Sequence, residues 1–579
     1  EMKLFFRYLK IYKKEAFLAP LFKLLEACFD LLVPVVVAYM IDYGIGSVSG
    51  VADKSIVFKM FPLLILLGVV GLSCTLVAQY FSARAAVGCA AVLRHDLFAH
   101  MQRFSYADTD RVGTSAMVTR ITSDVNQVQS GINMTLRLLL RSPIIVFGAV
   151  IMAFTVNASL AWIFAVAVPL LAVIVFSIML AGMPLYKKIQ GKLDEVTAKT
   201  RSTLEGVRVV RAFGMEERQT ESFRETNDSH TRLQKFTGRI TALMNPLTFV
   251  VVNGALVAII YFGGLRAEVG GATQGEIIAL TNYMSQILVE LIKLANTIFT
   301  VTKAAACANR IDAVLQSEVG QESIPSDAAE DPSVAVRFDN VSLTYPNAAA
   351  PALSHISLSV PAGQTVGIIG GTGSGKSTLV NMIPRFYDAT EGTVYVFGKP
   401  VCSYPIDRLR GIVGIVPQKA VLFRGTIRSN LQWGKADATD DEIWEALRLA
   451  QAEEFVRKKE GCLDAPVEQG GRNFSGGQKQ RLTIARALVG KPPILILDDS
   501  ASALDFATDA RLRHALRSLD YHPTVFIISQ RTSSIHAADQ ILVLEDGETA
   551  GRGTHEELLS ACPVYREIHE SQFKGGETA

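Results

Sequence analysis

The run Gly370-Gly371-Thr372-Gly373-Ser374-Gly375-Lys376-Ser377-Thr378 packs small residues, one cation and several hydroxyls into a single short loop. Glycines let successive backbone N–H groups wrap an anion, and this loop joins an apolar strand expected at 365–369 to a helix expected at 376–386. A loop so placed binds phosphates. Lys376 would reach the β- and γ-phosphates of a nucleoside triphosphate, and the Ser377 hydroxyl would reach Mg²⁺. Further along, Ile494-Leu495-Ile496-Leu497-Asp498 has the pattern of a buried strand that delivers a carboxylate to the edge of a sheet, beside the metal. Between these two lies Phe474-Ser475-Gly476-Gly477-Gln478, directly ahead of a helix expected at 479–489. Two glycines and a serine at a helix start make another anion site, although this domain's own phosphates are already held. The economical expectation is that Ser475–Gln478 clasps the ATP of a second, facing domain. The bland alternative is a capped helix with no ligand.

Such loops need a sheet to hold them. After residue 333 the pattern turns to period-two strands, beginning at 334–345, and then to strands alternating with helices, which implies an α/β domain. The first half reads differently. Hydrophobic residues make up 49% of the 579 and the mean hydropathy is +0.28, with the long apolar runs concentrated before about residue 305. Six segments, at 16–42, 56–80, 136–155, 160–183, 241–263 and 277–301, are long enough to span a bilayer, which takes roughly 20 residues per helix. The expected domains are therefore a helical membrane domain at 1–316, a polar, acidic linker at 317–333 and a nucleotide-binding domain at 334–579.

Lysines and arginines crowd the segment before the first span and the connections after the second and fourth, while the alternate loops are nearly free of them. By the positive-inside rule both termini and the nucleotide domain are expected in the cytoplasm. The two basic connections carry apolar residues at helical spacing, such as Leu93, Leu97, Met101 and Phe104. They imply membrane helices that run on into the cytoplasm and turn back. A net charge of +2 gives no reason to expect nucleic acid as a partner. The seven cysteines form no C-x-x-C pair, and the basic N-terminal segment is not followed by a cleavage signal. Within the spans, Lys23, Glu26 and Asp30 share one helical face, and Glu290 and Lys293 pair at i, i+3. Intramembrane charges are candidates for a cavity or for ties between helices. Tyr39, Phe249, Tyr283, Met284 and Phe299 could line an apolar cavity.

The order of these motifs, with six spans ahead of them, resembles the exporter-type half-transporters of the ATP-binding cassette (ABC) family over essentially the whole chain. The resemblance implies an α-helical six-span membrane domain, an α/β P-loop cassette, ATP and Mg²⁺ as cofactors, and a membrane-embedded ATPase that moves a small amphipathic substrate among membrane lipids. It makes Tyr345 the aromatic that stacks on adenine, and Gln418 the residue that joins Ser377 and Asp498 at the metal. It also makes Ser502–Asp505 the loop facing the partner cassette, and the turns near 108–113 and 214–223 the coupling helices. Two positions depart from the family pattern. Asp499 stands where a catalytic Glu follows the metal-binding Asp, and Gln530, in Ser529-Gln530-Arg531, stands where a switch His is usual. Asp is one methylene shorter than Glu, and a misplacement of about 1 Å can cost on the order of a hundredfold in rate. Gln can hydrogen-bond a γ-phosphate but brings no positive charge to it.

Those departures, with Ser475–Gln478 intact, resemble the degenerate-site subunit of heterodimeric bacterial multidrug exporters. The partner implied is a non-identical half-transporter carrying its own Glu and His, in the bacterial cell membrane. The alternatives are a homodimeric exporter of lipid or peptide in which Asp499 still serves as a poor base, and an ATP-gated or regulatory membrane protein.

Overall fold

The computed structural model describes residues 7–45, 53–317, 321, 323–326, 329–346, 348–500 and 503–573. Parts of the expected linker (318–320, 322, 327 and 328) and Ser502 lie outside the described residues. The chain divides into two compact units. One holds the membrane helices up to residue 317, except for the segment Arg103–Thr114; the other holds that segment and everything after 317.

The first unit has six helices long and apolar enough to cross a membrane: α1 (Arg7–Gly44), α2 (Lys54–Gln102), α3 (Thr114–Val156), α4 (Ala158–Glu205), α5 (Glu216–Glu268) and α6 (Gln274–Leu315). At 1.5 Å per residue, α2 and α4 are each about 70 Å long, far more than the roughly 30 Å of a bilayer core. The amphipathic segments expected beyond the spans are thus continuous helix. A short helix at Val207–Ala212 and a left-handed Gly214 make the turn between α4 and α5.

The core of this unit is built by α1, α3, α4, α5 and α6 around Phe164, Leu171, Ile259, Tyr283 and Met284. The buried Tyr283 hydroxyl donates to the Leu31 carbonyl at 2.6 Å, one turn before Pro34. At the end of α1, Asp42 accepts from the Gly275 N–H at 2.8 Å and the Thr273 hydroxyl at 2.6 Å, satisfying donors at the start of α6.

Charge ties three helices together. Arg141 of α3 donates to Glu290 of α6 at 2.6 Å and to Asp30 of α1 at 2.8 Å, and lies 3.5 Å from Glu26. Ser142 donates to the other Glu290 oxygen at 2.8 Å, while Lys293 and Lys23 complete the set on Glu290 and Glu26 at 2.9 and 2.5 Å. Three carboxylates meet three cations. Removing one partner of a buried ion pair leaves the others uncompensated, which costs about 3–5 kcal/mol. Arg141→Met should therefore lower the melting temperature of the purified protein far more than the loss of an exposed arginine such as Arg224. An unchanged melting temperature would remove Arg141 from its place as the shared counter-charge.

The second unit contains a six-stranded sheet in the order β12-β11-β3-β10-β9-β6, parallel except for β12. These strands are β3 (Thr365–Gly370), β6 (Val413–Val416), β9 (Ile494–Asp498), β10 (Thr524–Ile528), β11 (Gln540–Glu545) and β12 (Glu548–Gly553). A four-stranded antiparallel sheet, β2-β1-β4-β5, comprises β1 (Val334–Leu343), β2 (Leu353–Pro361), β4 (Glu391–Val396) and β5 (Lys399–Pro400), and β7 (Gly425–Thr426) pairs with β8 (Pro466–Val467). The uninterrupted apolar run of β9 has a physical reason. Ile494 and Ile496 enter the core between the two sheets, and Leu495 and Leu497 enter a second core against the helices on the other face.

Candidate nucleotide site

Register places the chemistry. β10 lies between β3 and β9, with Ile528 level with Ile368 on one side and Asp498 on the other. The chain past each strand therefore emerges at one edge, the carboxyl end of a parallel sheet, where α/β folds bind ligands. The Asp499 N–H donates to the Ile528 carbonyl at 3.0 Å and the Ser529 N–H to the Ile368 carbonyl at 3.1 Å, extending the pairing one step beyond the strands.

Gly370 ends β3, and the loop turns through Thr372, Gly373 and Ser374 to α7 (Lys376–Asn381). Gly373 and Gly375 are left-handed, at φ +85° and +89°. A Cβ on Gly375 would also lie 2.7 Å from the Ala352 carbonyl oxygen, so only glycine fits there. Ser374 and Thr378 are buried beneath the loop, while Gly371, Thr372 and Gly373 are exposed. The helix is shorter than the sequence suggested, ending at Asn381 rather than 386. Pro384 offers no N–H and its ring opposes the Val380 carbonyl, and Arg385 turns left-handed at φ +54°.

Lys376 folds back over the loop, donating to the Gly371 carbonyl at 2.6 Å and the Gly370 carbonyl at 3.0 Å. Burial holds its pKa below the usual lysine value, against the pull of Asp499 and Asp498. Ser377 donates to Asp498 at 2.9 Å. Asp498 is buried, which raises its pKa; Asp499 adds to the rise, while Ser377 and Lys376 oppose it. The Gln418 amide nitrogen lies 3.5 Å from an Asp499 oxygen, the outer limit of a hydrogen bond. Ser377, Gln418 and Asp498 offer hydroxyl, amide and carboxylate oxygens, a donor set that suits a hard cation such as Mg²⁺. A metal held there would offset the charge of bound phosphates.

Tyr345 follows β1. Its hydroxyl is 3.0 Å from Thr378 Oγ1, and its ring meets Tyr387 edge-on at 5.0 Å. Sequence reasoning missed what lies beyond. Within this unit Tyr387 donates to Asp110 at 2.8 Å, and Tyr106 stacks on Phe386 at 4.2 Å. Burial first, then the bond to Asp110, pushes the Tyr387 phenol above its ordinary pKa. Asp110 and Tyr106 belong to a short helix, Tyr106–Val112, closed by a Ser105–Asp108 capping box and the left-handed Gly113. A row of aromatics thus runs from beside the phosphate loop to the turn between α2 and α3. The only hint in the sequence was the aromatic pair Phe386-Tyr387 close after the loop.

Ser475 and Gln478 form a capping box at the start of α8 (Gly476–Val489). Ser475 and Gly476 are exposed, and a Cβ on Gly476 would meet nothing within 4 Å. Gly477 is tighter, its Cβ position lying 3.0 Å from the Ala503 carbonyl. Among the described residues no hydrogen bond joins Ser475–Gln478 to the phosphate loop, so the two motifs stand apart in one chain. Gln530 is exposed, and its carbonyl accepts from the Gln572 side chain at 2.7 Å.

The raised Asp498 pKa has a testable sign. The form expected to hold metal is the charged one, so acidification should neutralise it at a higher pH than an ordinary aspartate. The Mg²⁺-dependent part of ATP affinity should then decline while ordinary carboxylates remain ionised. Titrating ATP with and without Mg²⁺ across pH checks this. A decline confined to the ordinary aspartate range would contradict it.

Comparison with known proteins agrees with this geometry. Residues 16–291 match the family model described as the ABC transporter transmembrane region, and residues 353–502 the one described as ABC transporter. An uncharacterised ABC transporter ATP-binding protein of Mycobacterium tuberculosis is 38% identical over 573 residues, covering 98% of this chain and 97% of the relative. The ATP-dependent lipid A-core flippase of Salmonella typhimurium is 31% identical over 557 residues, covering 95% of this chain and 94% of the flippase. A solved structure of a bacterial Atm1-family ABC exporter with ATP bound aligns with a TM-score of 0.82 at 25% identity, over 97% of this chain and all of that one. With six apolar helices ahead of an α/β cassette, the chain belongs to the ABC transporter family as a half-transporter of the exporter type, an ATP-hydrolysing membrane protein.

Proposed function

We propose that this chain is the degenerate-site subunit of a heterodimeric exporter of amphipathic compounds, with its cassette and both termini in the cytoplasm. The observation that carries this reading is the pair of side chains at the sheet edge, Asp499 after β9 and Gln530 after β10. In this reading the phosphate loop, Lys376, Ser377 and Asp498 bind ATP with Mg²⁺, and Tyr345 stacks on adenine. Asp499 is the short base expected to position water poorly, and Gln530 brings no charge to the γ-phosphate.

Ser475–Gln478 complete the other site, on ATP held by a partner that carries Glu and His. ATP draws the two cassettes together, and the short cytoplasmic helices between the long membrane helices pass that closure to the cargo path. Hydrolysis at the partner's site resets the cycle, because ATP stabilises the closed dimer more than its products do. The basic loops after the second and fourth spans support the cytoplasmic placement.

A second reading is a homodimeric lipid exporter in which Asp499 is a working base. It is favoured by the 31% identity to the lipid A-core flippase. Two variants separate the readings. Gly476→Asp sets a carboxylate where the partner's phosphates would sit, and should abolish turnover in either case. Asp499→Ala should cost far less than replacement of the partner's Glu if the chain purifies from native membranes with a non-identical half-transporter. If it purifies only with itself, and Asp499→Ala stops ATP turnover, the heterodimer reading fails.

A further inference from the structure

Between α1, α3 and α6 lies a cleft of about 440 Å³ that the nucleotide chemistry does not use. Its floor is the ion network around Arg141. The inner members are nearly sealed, with the Glu290 side chain 5% exposed and that of Arg141 11%. Two members are not. The Asp30 side chain is 41% exposed and that of Lys293 44%, and both line the cleft.

Among the described residues, Asp30 accepts one ionic hydrogen bond, from Arg141, and Lys293 donates one, to Glu290. A carboxylate has room for about four donors and an ammonium has three N–H groups, so both hold unused capacity that faces the cleft. Gln286 also lines the cleft, though its side-chain oxygen is sealed from it and has no hydrogen-bond partner among the described residues. The remaining wall is partly apolar, with Val33, Val37 and Ile145.

The charges already present sum to zero, with Lys23, Arg141 and Lys293 against Glu26, Asp30 and Glu290. A ligand with net charge would leave that charge unmatched beside the buried Arg141 and Glu290, inside a membrane span, which is costly. A ligand carrying one charge of each sign leaves the sum unchanged while meeting both exposed groups.

We infer that this cleft binds the headgroup of a zwitterionic amphiphile, its anion on Lys293, its ammonium on Asp30, and its chain along the apolar wall. Because Asp30 accepts hydrogen bonds, the geometry suits a primary ammonium that still has N–H groups to donate. This names a cargo class for the proposed export role and rests on that role only for the direction of movement.

The test compares three amphiphiles of one alkyl chain on the full-length transporter in maltoside micelles: an alkyl phosphoethanolamine, the matching alkylamine and the matching alkyl phosphate. The phosphoethanolamine should bind at least about tenfold more tightly than either fragment, the effect of one further charge-assisted hydrogen bond. Asp30→Asn should reduce its affinity to about that of the phosphate, and Lys293→Gln to about that of the amine. Displacement by short-chain phosphatidylethanolamine would identify a membrane lipid as the source, and displacement by an apolar dipeptide a soluble one. An amine or phosphate that binds as tightly as the zwitterion overturns the inference without any variant, as does displacement by neither competitor. Binding is read without ATP, so a transporter that binds the probe but does not move it in ATP-loaded proteoliposomes refutes export and leaves the site intact.

Discussion

Charge taken out of water has to be matched where it sits, and that demand shapes both units of this chain. In the membrane unit it makes Arg141 a fixed point. A guanidinium presents several donors in a rigid plane, and here they reach carboxylates on two other helices. Three helices that share only apolar surface could slide against one another, but helices that share this ion set have one register. In the second unit the same demand acts on Lys376. With its ammonium on two backbone carbonyls and its pKa depressed by burial, it is under-matched. A phosphate oxygen is a far stronger partner for a desolvated cation than a neutral carbonyl.

The sheet makes the arrangement economical. Because β3, β10 and β9 are parallel neighbours in fixed register, three stretches distant in sequence come to one edge with no side chain needed to align them. Strands about 4.8 Å apart set the spacing of Gly370, Ser529 and Asp498. Burying β9 on both faces makes that spacing stiff, since Ile496 and Leu497 are locked in different cores. A rigid scaffold of this kind can hold a phosphate loop and a carboxylate in position whether or not the residues beside them complete the chemistry.

How much of this was legible follows from how local each signal was. The phosphate loop, β9 and the Ser475 cap are runs of a few adjacent residues whose types are dictated by backbone conformation or burial, so the sequence displays them. Lys23–Glu26 and Glu290–Lys293 were visible as turns of one helix. Arg141 was not, because its partners Asp30 and Glu290 lie 111 and 149 positions away and nothing periodic connects them. The bond from Tyr387 to Asp110 spans 277 positions, so although the resemblance implied a coupling helix near 108–113, the residues that hold it could not be read from the sequence. The shortened α7 is a different kind of miss. Pro384 stood in the sequence as a breaker, and the expected helix ran past it although that signal was local.

Asp499 and Gln530 stand just past the ends of β9 and β10, where the fold fixes the main chain first. At 499 the fold fixes the main chain, with an N–H paired with Ile528 and a left-handed turn at φ +45°, and the carboxylate lies 3.5 Å from the Gln418 amide nitrogen. Aspartate enters that conformation more readily than most residues, so the shorter side chain is no burden to the turn. At 530 the fold again uses the main chain, whose carbonyl receives Gln572, while the side chain points into solvent-exposed space at the sheet edge. Neither side chain is part of a core. Substitution at Gln530 therefore asks little of the fold, whereas substitution at Gly375, where backbone and neighbours both exclude a Cβ, asks much. The loop is set by backbone conformation and packing, while the side chains at 499 and 530 stand outside the cores that hold it.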